Sequence, residues 1–256
     1  MSEAVSPASD ELTSDAITAT FRLIQRRRGH RFSLDDLATA WEAARARPEA
    51  RTHLDLGCGV GSVLLMVAWK LSATRVYGVE AQEISFGLAR RNVAENGLAD
   101  RVTLRHGDLR EVTLGWPPER CDSVSGTPPY LPPGTALVSP DPQRAAARIE
   151  LRGGVEDYLA AASRVLAPQG RVVVCADGRM PERVIRGAAS AGLAPLRRLD
   201  VIARAGAAGP LFSVWTCALA GDGEARPLDH ETVTMRDAHG ERTEASREMR
   251  RFFGLG

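Results

Sequence analysis

The chain has 256 residues, 44% hydrophobic and 25% charged, the balance of a globular protein that can bury a sizeable core in one large domain with appendages. A formal net charge of +1 removes any whole-molecule attraction to nucleic acid or membrane, so a basic surface has to be local. Cys58, Cys121, Cys175 and Cys217 are scattered, without a C-x-x-C pair or a Cys/His cluster. Neither a disulfide framework nor a zinc site is expected, and no metal. No run approaches the ~18 apolar residues of a membrane span, and residues 1–16 lack the apolar core of a signal peptide, so the expectation is a cytoplasmic protein with no membrane contact.

In chain order, residues 1–16 read as disordered and 17–48 as a helical lead-in. Its clearest part is a helix from Ser33 as N-cap to Ala46, stopped by Pro48. A strand–helix alternation follows over 49–220. "RTHLDLGC" reads as a strand and "SVLLMVAWKL" as a helix; "RVYGVEA" is a strand and "ISFGLARRNVAENG" a helix closed by Gly97. "RVTLRHGD" and "CDSVSG" are further strands. A helix near "GVEDYLAAASRVLAP" precedes "GRVVVCA", a fully apolar strand, and a helix near "PERVIRGAASAG" precedes two strands joined by "GAAG". Alternating strands and helices imply a parallel α/β sheet covered on both faces, with the last two strands as an antiparallel pair at its edge. Residues 221–256 form a polar extension that suggests a hairpin across "AHG" and a short helix whose Phe252 and Phe253 dock on the domain.

"HLDLGCGVGS" places Gly57, Gly59 and Gly61 between a strand and a helix, where backbone N–H groups can approach a ligand closely. The dinucleotide fingerprint needs its third glycine at Ser62, so the spacing favours another ligand. Asp55 can orient the loop. Glu80 ends the next strand, suited to both hydroxyls of a ribose, and Asp108 ends the third, suited to an adenine amino group. In combination these motifs resemble the class I S-adenosylmethionine-dependent methyltransferases. The resemblance implies a Rossmann-like seven-stranded sheet with a reversed last strand and S-adenosylmethionine as cofactor. It assigns Asp55 and the loop of Gly57, Cys58, Gly59 and Gly61 to the methionine end, Glu80 with Ala81 to the ribose, and Asp108 with Leu109 to the adenine.

"SGTPPY" follows the fourth strand of this sheet. Two prolines remove two donors, fix φ and hold the preceding residue extended, leaving carbonyls as acceptors for a planar amine, on which Tyr130 can stack. Thr127, Pro128, Pro129 and Tyr130 resemble the N-P-P-Y signature of amino methyltransferases acting on adenine N6 or glutamine, with Thr127 in place of Asn. Ser at this place marks the S-P-P-Y of cytosine N4 enzymes. Thr127 offers one hydroxyl, able to donate, where Asn has a carbonyl acceptor.

"LIQRRRGHRFSLDDLATAW" is similar to the lead-in of the valine-tRNA adenine N6-methyltransferases, which implies Phe32 and Asp35 near the cofactor. The implied activity is N-methylation of adenine in tRNA. Alternatives are another amine-bearing acceptor (a protein glutamine, a cytosine or a small planar metabolite) and a cofactor-binding module without catalysis. Arg26, Arg27 and Arg28, with Arg22 and Arg31, form the densest positive cluster and are the expected phosphate contacts, against a plain solvated face. His30, His53 and His106 read as structural or solvated.

Overall fold

A computed structural model describes residues 11–135, 137–222 and 227–256. Most of residues 1–16, expected to be disordered, lie outside these. The rest do not follow that expectation: β1 (Leu12–Ala16) pairs antiparallel with β2 (Arg22–Arg26) in a separate hairpin. The lead-in is therefore helical only in α1 (Leu34–Ala46). The hairpin escaped a pattern-based reading because its partners are side chains rather than a sheet. Asn92 takes the place of a neighbouring strand, accepting from the Ile24 N–H at 2.7 Å and donating to the Ile24 carbonyl at 2.9 Å. Asn96, one turn on, does the same for Arg22.

The main domain runs β3 (Thr52–Leu56), α2 (Ser62–Lys70), β4 (Arg75–Glu80), α3 (Glu83–Glu95), β5 (Val102–His106), α4 (Leu109–Val112), β6 (Cys121–Gly126), α5 (Pro142–Arg148), α6 (Val155–Val165), β7 (Leu166–Ala176), α7 (Pro181–Ser190), β8 (Leu193–Ile202) and β9 (Phe212–Leu219). After it come β10 (Asp229–Thr234) and α8 (Glu244–Phe252). The sheet order is β10-β8-β9-β7-β6-β3-β4-β5, and only β9 runs antiparallel to its neighbours. The order reverses at β3, with β4 on one side and β6 on the other. A ligand crevice opens at the carboxyl ends of strands at such a switch point.

Two apolar layers sandwich the sheet, and β7 shows how. Val173 and Cys175 face the layer of α1, α2 and α8, while Val172, Val174 and Ala176 face that of α6 and α7. A strand buried on both faces carries no polar alternation, which is why "VVVCA" reads as an unbroken apolar run.

β8 and β9 form the expected antiparallel pair, and β10 adds an eighth strand outside β8, so the pair lies one strand in from the edge. β9 inserts between β7 and β8, and β10 covers β8 in parallel. β10 is polar and mostly exposed, so its sequence carries no strand pattern. Arg197 of β8 holds it, pairing with Asp229 and Glu231 and reaching Glu42 of α1 at 2.9 Å. Beyond β10 a bridge joins Arg236 to Arg242, and α8 seats Met249 and Phe253 in the core. Phe253 has no exposed surface. Replacing Phe253 by Ala should cost about 3–5 kcal/mol through lost burial and a residual cavity. Chemical denaturation checks this, and a loss below about 1 kcal/mol would mean the tail is not part of the cooperative core.

Candidate active site

The glycine loop is built around a tyrosine. Gly57, Gly59 and Gly61 have φ of +60°, +56° and +94°, a region that side chains rarely occupy. A Cβ on Gly57 would lie 2.2 Å from the hydroxyl of Tyr158, and one on Gly126 would lie 2.6 Å from its ring. Tyr158 of α6 thus packs under both the loop and the end of β6. A Cβ on Gly59 would meet nothing within 4 Å, because that glycine faces an open cleft. Gly61 caps α2 and does not line the cleft.

Asp55 also lies behind the loop rather than in the cleft. Its buried carboxyl accepts from the Ser125 hydroxyl at 2.6 Å and from the Leu64 N–H at 3.2 Å. His53, fully buried, continues the chain, with Nε2 at 3.1 Å from Ser125 Oγ and Nδ1 at 3.0 Å from Ser123 Oγ. If Ser125 donates to Asp55, it must accept from His53, which fixes the neutral tautomer. Burial pushes the Asp55 carboxyl up to about 7 and the His53 imidazole down to about 3.

Glu80 does line the cleft. One carboxylate oxygen accepts from the Gly59 N–H at 2.9 Å, the other from the Gln82 N–H at 2.6 Å, and burial raises its pKa. Cys58, Ala81, Leu109, Phe32 and Thr127 line the same cleft. Asp108 is there as well, but its carboxylate is engaged by its neighbour: Arg110 donates from its backbone, Nε and Nη2 at 2.6–2.9 Å and holds the pKa low. A carboxylate saturated in this way is a weaker candidate for an adenine amino group than its place in the sequence suggests.

A second cavity adjoins the cleft across a wall of Thr127 and Pro129, and its lining includes Pro128, Tyr130, Asp35 and Leu131. The Thr127 hydroxyl makes no hydrogen bond among the described residues. Tyr130 is tied down instead, its hydroxyl 2.9 Å from Asp35 Oδ2 and 2.7 Å from Cys175 Sγ. Asp35 therefore belongs to the second cavity, and its neighbour Asp36 takes the expected place beside the cleft. Asp36 completes the capping box of α1 through the Ser33 N–H at 3.0 Å, and burial raises its pKa well above the carboxylate range. The S-x-x-D pattern from Ser33 was the available signal for choosing Asp36 over Asp35.

His30, Gln143, Tyr158 and Arg152 also line the cleft without having been singled out for it. The arginine cluster contributes less than expected. Arg26 is buried and pairs with Asp141 at 2.7 Å, Arg27 pairs with Glu11 at 2.9 Å, and neither they nor the exposed Arg28 lines either cavity. Of these three only Arg26, which ends β2, is turned inward, which a linear run of arginines does not reveal.

A family model described as a methyltransferase domain matches residues 54–130, from β3 through Tyr130. These residues carry a methyltransferase domain, set on a sheet of the Rossmann-like class I methyltransferase fold. Two curated relatives are similar to this chain. The tRNA1(Val) (adenine(37)-N6)-methyltransferase of Porphyromonas gingivalis is 33% identical over 54% of this chain and 54% of its own length. The release factor glutamine methyltransferase of Caulobacter vibrioides is 35% identical over 50% of this chain and 44% of its own. The match spans about half the length of these curated relatives. Among solved structures, the Agrobacterium tumefaciens protein Atu636, described as a predicted O-methyltransferase, superposes with a TM-score of 0.62 at 18% identity, covering 87% of this chain and 98% of that one. The glycopeptide N-methyltransferase MtfA, in complex with sinefungin, does so with a TM-score of 0.52 at 15% identity over 73% of this chain and 87% of its own.

The buried chain has a measurable pH signature. Between about pH 4 and 7 folded Asp55 keeps a proton that the unfolded chain has released, so its contribution to stability falls as pH rises. Between about pH 3 and 6.5 folded His53 stays neutral while the unfolded chain is protonated, so its contribution rises with pH. The two oppose each other where the windows overlap. Asp55→Asn removes one of them, so the variant should gain stability relative to the parent by about 1.4 kcal/mol per pH unit from pH 4.5 to 6.5. Denaturant titrations across that range give the difference; a pH-independent offset between the proteins would show that Asp55 titrates normally.

Proposed function

We propose that the chain is an S-adenosylmethionine-dependent N-methyltransferase whose acceptor is the N6 amine of adenine in tRNA. The observation that carries this reading is the shared wall: Pro129 and Thr127, whose hydroxyl has no partner among the described residues, line both the glycine-loop cleft and a second cavity. The cleft suits the cofactor on its own chemistry. It offers an open loop at Gly59, a buried carboxylate at Glu80 and apolar walls at Leu109 and Phe32. Sinefungin, bound by a protein of the same fold, supports the choice.

When bound, the cofactor supplies a methyl group on a positively charged sulfur. The chain's own part is positioning. Glu80 accepts hydroxyl hydrogen bonds with lone pairs left over from its backbone contacts. The two prolines present carbonyls rather than N–H groups to a planar amine, and an amine held by acceptors directs its lone pair out of the ring plane. Tyr130, fixed by Asp35 and Cys175, forms a rigid flank for the acceptor ring. No residue has to act as a strong base, because the amine becomes acidic once methylated and its proton can leave to water.

The relatives named for tRNA adenine favour the adenine acceptor, and those named for release factor glutamine keep the protein amide as the second reading. Calorimetry with S-adenosylmethionine should show binding that weakens about 10- to 100-fold in Glu80→Ala, the scale of lost hydrogen bonds to a charged group. No binding by the parent protein would end the methyltransferase reading. Unfractionated tRNA incubated with the parent should yield N6-methyladenosine by nucleoside mass spectrometry. Thr127→Asn, which supplies an amide oxygen at the same place, should retain that product. Methyl transfer into protein glutamine, with tRNA unmodified, would replace adenine by the second reading.

A further inference from the structure

Four arginines line the acceptor cavity, and two of them are spoken for. Arg31 pairs with Asp15 at 3.0 Å and Arg179 with Asp177 at 2.6 Å. The side chains of the other two, Arg144 and Arg148, are exposed on α5 and have no hydrogen-bond or ion-pair partner among the described residues. We propose that Arg144 and Arg148 form a phosphate-binding edge of this cavity, gripping the backbone of a single-stranded RNA segment beside the base that enters it. The proposal rests on the N-methyltransferase reading given above and names the partner of that same site.

The inner face of α5 uses its polar groups to fix the helix in place. Its N-cap Asp141 receives Arg26, and the side chain of Gln143, almost wholly buried, accepts from Arg26 Nη1 at 3.1 Å and from the His30 N–H at 3.3 Å while donating to Ser85 at 3.0 Å. At the other end the Arg148 carbonyl accepts from the Leu131 N–H at 3.1 Å, which joins α5 to the chain just after Tyr130. The buried arginine of the "RRR" run is thus a prop for the helix whose own arginines stay free. Fixed backbone reduces the ordering cost of using those side chains for binding.

Their spacing selects the ligand. Residues four apart on a helix lie about 5–6 Å from each other at Cβ. A nucleic acid strand carries a charge at every residue and can engage two such guanidinium forks at once, each matched to phosphate geometry. A glutamine-bearing protein loop has no such repeat. The near-neutral chain supplies no general attraction to RNA, so a local cationic edge at the cavity mouth has to provide it.

The test is fluorescence anisotropy of labelled unfractionated tRNA with the full chain, from 50 to 200 mM salt. Arg144→Gln/Arg148→Gln should bind on the order of tenfold or more weakly, from the loss of two charge-assisted contacts. Its log–log salt slope should be shallower by about 1.4, about 0.7 for each single-strand phosphate contact. Arg144→Lys/Arg148→Lys should keep the slope, and Arg105→Gln, on the far edge strand, should match the parent. Calorimetric affinity for S-adenosylmethionine should be unchanged in all of them. An unchanged tRNA affinity and slope in the glutamine double variant overturns the proposal, as does a parent protein that binds no tRNA or methylates a protein in its place. A parent that binds tRNA through these arginines but fails to bind S-adenosylmethionine overturns the enzyme reading and leaves this edge standing.

Discussion

Asp55 stands next to last in β3, where the strand order reverses, and its buried carboxyl accepts from Ser125 on β6 and from the first turn of α2. That contact ties the strand before the glycine loop to the strand before Thr127. The spacing between the cleft and the second cavity depends on it. His53 and Ser123 extend the link one pleat deeper, so the polar groups at the centre of an otherwise apolar sheet satisfy one another. An acid in this position is more useful to the site from behind than from within. A charge facing the ligand would be solvated and mobile, whereas a hydrogen-bonded carboxyl with no exposed path holds two backbones at a fixed distance.

The second constraint is steric. Tyr158 fills the space that a side chain on Gly57 or Gly126 would occupy, so one ring sets the height of both the loop and the β6 end. With Asp55 on one side of the sheet plane and Tyr158 on the other, the residues that face ligand are relieved of structural duty. Gly59 faces the open cleft, and the Thr127 hydroxyl is uncommitted among the described residues. Pre-organisation of this kind suits a reaction in which positioning, rather than acid–base strength, limits the rate.

The parts of this arrangement legible in the sequence are those where local pattern and tertiary role coincide. β7 ends in the apolar run Val172–Ala176 because both of its faces are buried there. The loop glycines announce themselves because positive φ excludes other residues, and Pro128–Pro129 because their chemistry is local. What the sequence concealed depends on distant partners. β1 and β2 are held by Asn92 and Asn96 of α3, and β10 by one arginine, so neither shows strand periodicity. Asp35 and Asp36 are indistinguishable as letters, and only the direction of α1 brings Asp36 to both cavities and Asp35 to the second alone. Asp108 looked free until Arg110 closed on it.

The arginines make the same point about charge. A linear count ranks residues 22–31 as the basic centre of the chain, yet Arg26 there is buried against Asp141. Charge available to a partner at the second cavity is charge that lines it and that the fold has not already neutralised, and there α5 stands out, because Arg22 and Arg28, which pair with no acid among the described residues, do not line it. The two segments are nevertheless coupled, since Arg26 supports the helix that carries Arg144 and Arg148. A substitution at Arg26 would therefore disturb α5 by freeing Asp141 and Gln143, and its effect on any partner would be indirect. The structure thereby separates the residue that builds the cationic edge from the residues that would use it.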